Sequence, residues 1–210
     1  MNVATAPRRR GRPPKAAMGF NETRESLVRA GLAALTEKGF SATGIDEILK
    51  AVGVPKGSFY HYFNSKEAFG AELIDRYGQY FARRLERFFA DSGRTYLERL
   101  EAFTRDAEDA MARLAFSRGC LVGNLGQEMG ALPESFRKQL SDVFLDWQHR
   151  TAECLRAAQV EGEIGPNHDT NELAAFFWIG WEGAVLRAKL ERSGDALRTF
   201  ANGFFAMIRA

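Results

Sequence analysis

Residues 43–66 read Thr-Gly-Ile-Asp-Glu-Ile-Leu-Lys-Ala-Val-Gly-Val-Pro-Lys-Gly-Ser-Phe-Tyr-His-Tyr-Phe-Asn-Ser-Lys. Ile45, Ile48, Leu49 and Val52 recur at helical spacing, so the first half is a short helix with one buried face. Thr43 stands at the N-cap position, with Asp46 three residues on as a weak capping-box acid. Gly53 ends this helix, and Pro55 suits the start of the next, where its missing N–H costs no hydrogen bond. The second helix, expected over 56–63, buries only Phe59 and Phe63 at i, i+4. Lys56, Gly57, Ser58, Tyr60, His61 and Tyr62 are left outward or at the rim. A cation, hydroxyls and an imidazole on one short exposed helix match what a DNA major groove accepts. The pattern is a helix-turn-helix. The competing assignment, an αα-corner, would leave two tyrosines and a histidine in water without purpose.

The flanking sequence continues an all-helical chain. A first helix over about 22–38 carries Leu27, Ala30, Ala34 and Leu35 on one face and stops at Gly39. Asn64-Ser65 caps a long helix from Lys66 to about residue 90, with Leu73, Ile74, Tyr77 and Phe81 inward. Further helices are expected over 94–116, 120–130, 134–161, 170–191 and 195–209, the last four separated at Pro133, Gly162 to Pro166 and Ser193-Gly194. On the 134–161 helix an apolar stripe from Phe136 to Ala158 spans about 120° and contains Cys154, while His149 lies opposite. The 171–190 segment differs. Leu173, Phe176, Phe177, Trp178, Ile179 and Trp181 cover nearly its whole circumference, so it needs burial on more than one side. Gly180 and Gly183 would admit a close helix there. With Phe200, Phe204, Phe205 and Ile208 on the last helix, the chain carries more apolar surface than its own core needs, which points to a second copy in a four-helix arrangement.

Charge is unevenly placed. Residues 1–70 hold 11 Lys and Arg against 6 Asp and Glu, and the remainder 18 against 21, so a polyanion partner is expected for one end only. The first twenty residues, a proline-rich basic stretch without apolar periodicity, read as a disordered arm. Within it Arg10-Gly11-Arg12-Pro13 matches an AT-hook core, in which Arg10 and Arg12 enter a narrow minor groove; a plain basic arm attracted to phosphate is the alternative. No apolar run is long enough to span a membrane, and no apolar stretch follows the N-terminal charges as in a signal peptide. Two distant cysteines then suggest reduced thiols in a cytoplasm. The three histidines, His61, His149 and His168, accompany no nucleophile triad, metal-spaced cluster or phosphate loop, so neither an enzyme nor a bound metal or cofactor is expected.

The block from residue 22 to about 70, with its Ala-Val-Gly-Val-Pro-Lys-Gly-Ser-Phe-Tyr-His-Tyr-Phe-Asn-Ser-Lys-Glu core, resembles the TetR family of one-component transcriptional repressors. The resemblance implies a three-helix helix-turn-helix DNA-binding domain over 21–68 and an α-helical ligand-binding and dimerisation domain over 69–210. It also implies a homodimer built by the last two helices, reading a palindromic operator on double-stranded DNA. Carried over by position, Lys56, Gly57 and Ser58 approach base edges, and Thr43, Tyr60, His61, Tyr62 and Lys66 belong to the DNA-contacting set. Gly44 replaces the Ser or Thr common at its position, leaving backbone N–H groups to hold phosphate there.

The signal-receiving part is expected around Arg118-Gly119-Cys120-Leu121-Val122-Gly123-Asn124, where glycines beside Asn124 interrupt an apolar half. Cys120 lies at a helix start next to Arg118, and both features favour a thiolate; the alternative is a small residue filling space. Trp178, Trp181 and Glu182 would supply facing walls and a polar group, or else be packing and an ion-pair partner. These stretches resemble the acrylate-responsive branch of the family, which implies a short unsaturated carboxylate as effector. The Gly-Cys-Leu element is shared more loosely with relatives that respond to N-ethylmaleimide, so a thiol-based electrophile or oxidant sensor acting through Cys120 is the second reading. Reversible capture would hold the anion by Arg118, Arg187 or Lys189; Glu182 opposes this unless neutral or paired.

Overall fold

The computed structural model describes residues 19–209, so Arg10, Arg12 and the rest of the basic arm lie outside the described residues. The architecture is all-α: α1 (Phe20–Lys38), α2 (Ile45–Val52), a 3-10 helix (Lys56–His61), α3 (Lys66–Phe89), α4 (Tyr96–Ala112), α5 (Leu121–Gln127), α6 (Glu134–Val160), α7 (Thr170–Glu191) and α8 (Asp195–Ile208). Among the described residues there is no strand beyond one isolated bridge between Ile164 and Arg209. None of these helices is long and apolar enough to cross a membrane.

Local chemistry explains most of the boundaries. Gly53 takes the left-handed conformation (φ 74°, ψ 31°) that ends α2, with Gly53 and Val54 N–H groups donating back to Lys50 and Leu49 carbonyls. The Ser65 hydroxyl accepts the Ala68 N–H and starts α3 as expected. Two expectations fail here. Gly44, not Thr43, is the N-cap of α2; Thr43 turns inward, almost wholly buried, and its hydroxyl donates to the Gly39 carbonyl at 2.6 Å. The second helix is a six-residue 3-10 turn rather than an α-helix over 56–63. Proline, glycine and serine at its start are weak helix formers, and Phe59 and Phe63 anchor it without further turns.

α3 is about 36 Å long and runs from the N-terminal helices into the rest of the chain. Phe69, Leu73, Ile74, Tyr77 and Leu85 along it are buried, so one continuous apolar core links the two parts. At its N-terminal end Phe59, Phe63 and Phe69 pack ring to ring, with centroids 4.5–5.4 Å apart. α4 ends earlier than residue 116: after Ala112 the chain reverses through Ala115 and Phe116, both at positive φ. The α6 stripe is buried as its periodicity demands, Cys154 included.

α7 buries Phe177, Trp178, Trp181 and Val185. Its opposite side leaves Phe176, Ile179, Leu186 and Leu190 exposed. With Gly183, around which no atom would meet an added Cβ, these residues follow a 3-4-3-4 spacing that forms a single seam. Gly180 serves the chain itself, since a Cβ there would strike the Phe200 ring of α8.

Candidate functional site

The recognition turn presents what the sequence promised at most positions. Lys56, Gly57, Tyr60 and His61 are exposed, and Ser58 is half-buried. Lys56 reaches Asp46 of α2 at 2.5 Å, a surface pair that a phosphate could replace. Tyr62 is half-buried, stacked on Phe20 with centroids 4.8 Å apart. Two residues are committed elsewhere. Thr43 is buried as described, and Lys66 donates to the Phe40 carbonyl at 3.0 Å with its ammonium 4.5 Å from the centre of the Phe40 ring. Lys66 thus fastens α3 to the α1–α2 turn.

A cavity of about 360 Å³ lies where α1, α3, α4, α5 and α7 meet. Its lining includes Arg118, Cys120, Trp178, Trp181 and Glu182, so five of the six predicted residues converge. Trp178 is a wall rather than a ligand donor, because its indole N–H is spent on Thr151 at 3.0 Å. Three further residues on the wall were not read as site residues, Tyr77 and Phe81 being expected only to point inward. Phe81 and Arg84 follow on the same helix, the Arg84 guanidinium held by Asp106 (2.9 and 2.6 Å) and lying over Phe81 and Phe103. Arg187 lies on the surface, paired with Glu191, and does not border the cavity.

The polar floor consists of the Glu182 carboxyl, the Cys120 thiol and the Tyr77 hydroxyl, grouped on the cavity lining. Desolvation raises the Glu182 carboxyl to about 7. Its side chain keeps some accessible surface only because it faces cavities on two sides. Burial, with the Glu182 charge beside it, pushes Cys120 well above the ordinary thiol range, and Tyr77 likewise lies well above the ordinary phenol range. This burial argues against the thiolate that the helix start alone would favour. The helix start is real, and Cys120 Sγ caps α5 by accepting the Gly123 N–H at 3.5 Å. Burial of the sulfur, with the Glu182 carboxyl beside it, nevertheless outweighs seven residues of helix.

Asn124 does not line this cavity. Its amide donates to the Leu35 and Thr36 carbonyls at the end of α1, both at 2.9 Å. The Gly119 N–H (2.9 Å) and Lys189 Nζ (3.4 Å) reach the same Thr36 carbonyl. Glu128, just past α5, accepts the Phe40 and Ser41 N–H groups at 2.9 and 2.7 Å. Residues 119–128 thus hold both the carbonyl and the N–H side of the α1–α2 turn. Gly39 has to be glycine there: its φ is +83°, and a Cβ would fall 1.8 Å from Glu128 Oε1.

A helix-turn-helix with an exposed reading face, joined by a long helix to a helical body with an internal cavity, is the design of a one-component transcription regulator. The chain belongs to the TetR family: the profile of "Bacterial regulatory proteins, tetR family" matches residues 27–73, and that of "Tetracyclin repressor-like, C-terminal domain" matches 97–204. It is similar to the transcriptional regulator AcuR of Cereibacter sphaeroides, at 57% identity over 93% of this chain and 89% of that one. The crystal structure of regulatory protein TetR from Rhodobacter sphaeroides matches with a TM-score of 0.87 and 57% identity, over 89% of this chain and 98% of that one. The reduced form of E. coli NemR matches at 0.80 with 28% identity, over 90% and 98%.

Proposed function

We propose that this protein is a dimeric repressor of the AcuR type, released from a palindromic operator by acrylate or a similar short unsaturated carboxylate. Residues 21–68 read DNA, through Lys56, Gly57, Ser58, Tyr60, His61 and Tyr62. Residues 69–210 bind effector and pair with a second copy across the Phe176–Leu190 seam, whose apolar face has no cover within one chain. The basic arm with Arg10 and Arg12 adds salt-sensitive attraction to DNA. The observation that carries this reading is the position of Cys120. It floors the cavity and also begins the segment that grips the α1–α2 turn, so an occupant of the cavity bears on the reading head within one turn of helix.

The dimer holds its two reading turns about 34–36 Å apart, one turn of DNA. Effector binding shifts α5 against α1 and tilts α3, and the heads no longer fit successive grooves. This requires the effector to prefer the released state, so the coupling is reciprocal: operator DNA weakens effector binding by the same factor. Reversible capture is favoured over thiol chemistry because the Cys120 thiol is kept protonated.

The test is fluorescence anisotropy on DNA from the protein's own promoter, titrated with acrylate, propionate and N-ethylmaleimide. Release by acrylate, at concentrations where propionate is inert, supports the reading, provided that Cys120→Ser retains the response. Release lost in Cys120→Ser, or produced by N-ethylmaleimide alone, favours a thiol sensor instead.

A further inference from the structure

A carboxylate effector and a carboxyl-floored cavity are in conflict. Glu182 enters the cavity from α7, and among the described residues no salt bridge is formed to it. The neighbouring positive groups point to other partners, Arg118 and Arg29 only loosely. Arg84 on α3 is committed to Asp106 of α4, Arg118 before α5 lies near Glu37 of α1 at 3.9 Å, and Lys189 on α7 points to the Thr36 carbonyl. Arg29 of α1, at the rim, donates to Ser26. The other groups facing Glu182 are the Tyr77 hydroxyl from α3 and the Cys120 thiol from the start of α5. Two bare carboxylates in this apolar space would repel with little water to screen them.

We propose that Glu182 is a proton-sharing ligand: it stays neutral in the complex and donates its O–H to the effector's carboxylate, so that a short acid binds together with one proton. The inference rests on the carboxylate-effector reading and adds the regulation of that site by pH. The proton is present on free Glu182 below about pH 7 and must be taken from solvent above it, since desolvation sets that group near 7. Tyr77 and Cys120, both pushed well above their ordinary ranges, keep their protons across the interval, and no histidine lines the cavity. Glu182 is then the one floor group that titrates there. The sign follows. Affinity for a carboxylate is level on the acid side and falls by about tenfold for each pH unit above about 7. The same arrangement makes the cavity selective. A neutral carboxyl offers one strong donor to an anionic oxygen, whereas an amide of the same size gains no charge-assisted bond from it.

The experiment is isothermal titration calorimetry of the full-length dimer with acrylate from about pH 6 to about pH 8.5, in two buffers of different ionisation enthalpy. The expected result is uptake of about one proton per site at the alkaline end and about none at the acid end, with the affinity slope given above. Glu182→Gln keeps a neutral donor of the same shape beside Gly123, so it binds acrylate with no pH slope and more tightly than the wild type at alkaline pH. Acrylamide, titrated as the neutral control, shows no fall in affinity with rising pH with either protein. Acrylate binding without proton uptake, or an unchanged slope in Glu182→Gln, overturns the proposal and leaves the effector reading standing. Absence of acrylate binding to the wild type at every pH overturns the effector reading itself, and this inference with it.

Discussion

The recognition turn and residues 119–128 are both short segments held at the edge of the core, and they use their polar groups in opposite ways. In the turn, Phe59 and Phe63 are buried while Lys56, Tyr60 and His61 face outward, with Asp46 as the one ion-pair partner among them. In 119–128 the polar groups are spent inside the chain: Gly119, Asn124 and Glu128 all bind the α1–α2 turn, and Cys120 caps its own helix. A surface that reads a partner keeps its donors and acceptors unspent. A segment that transmits between two parts of one molecule spends them on those parts.

The hardest test of this contrast strikes the anchor of the turn. Phe59 is fully buried against Phe63 and Phe69, so Phe59→Ala should lower stability by about 3–5 kcal/mol in denaturant unfolding. Tyr60→Ala beside it, two-thirds exposed at 66%, should leave stability within about 0.5 kcal/mol yet weaken operator binding. Equal stability losses at the two positions would mean that the turn is packed on both faces and reads nothing.

A second break separates both regions from their partner copies. Ile179 is 75% exposed on the α7 seam, so Ile179→Asp costs a single chain little but places an unpaired charge in the proposed dimer interface, at about 2–5 kcal/mol. Analytical ultracentrifugation should show monomers, and operator affinity should fall with them. A variant that stays dimeric would move the interface off this seam.

A smaller effect sharpens the transmission half of the comparison. Glu128→Gln keeps one acceptor oxygen and turns its amide N–H2 toward the other N–H, so it loses one of the two charge-assisted bonds to Phe40 and Ser41 and weakens the other, by about 1–3 kcal/mol in this half-exposed setting. Effector affinity in the absence of DNA should be unchanged, while the factor by which effector weakens operator binding should shrink. If that factor is intact, the segment is scaffolding only.

How far each region was legible follows from the range of the forces that shape it. Gly53, Pro55 and Ser65 act within a turn of themselves, so the helix-turn-helix and its ends could be read directly, as could the buried stripe of α6. The error at Thr43 was local too: two adjacent residues competed for one cap, and the hydroxyl found a better acceptor in the Gly39 carbonyl. At the cavity, local reading brought five residues together but could not foresee that burial, and then Glu182 on another helix, would push the Cys120 thiol upward. Asn124 was recognised as a purposeful polar residue, but the α1 carbonyls that its amide binds could not be read from its neighbours. For Glu128 and Arg84 the sequence carries no local signal; their partners are backbone N–H groups and an aspartate brought near only by the fold.

The smallest expected effect compares two lysines that sequence alone assigned to the same DNA-contacting surface. Lys56 is largely exposed and can exchange Asp46 for a phosphate, releasing a counterion from DNA. Lys66 is tied to the Phe40 carbonyl and lies over the Phe40 ring. Lys56→Met should therefore reduce the slope of log affinity against log salt by about one and leave the unfolding midpoint alone. Lys66→Met should leave the slope alone and cost about 1 kcal/mol of stability, through a lost hydrogen bond and cation–π contact. The reverse pattern would mean that Lys66 lets go of Phe40 when DNA arrives. The α1–α2 turn would then be loosened from the DNA side as well as from the cavity side, and the division between unspent and spent groups would hold only in the free protein.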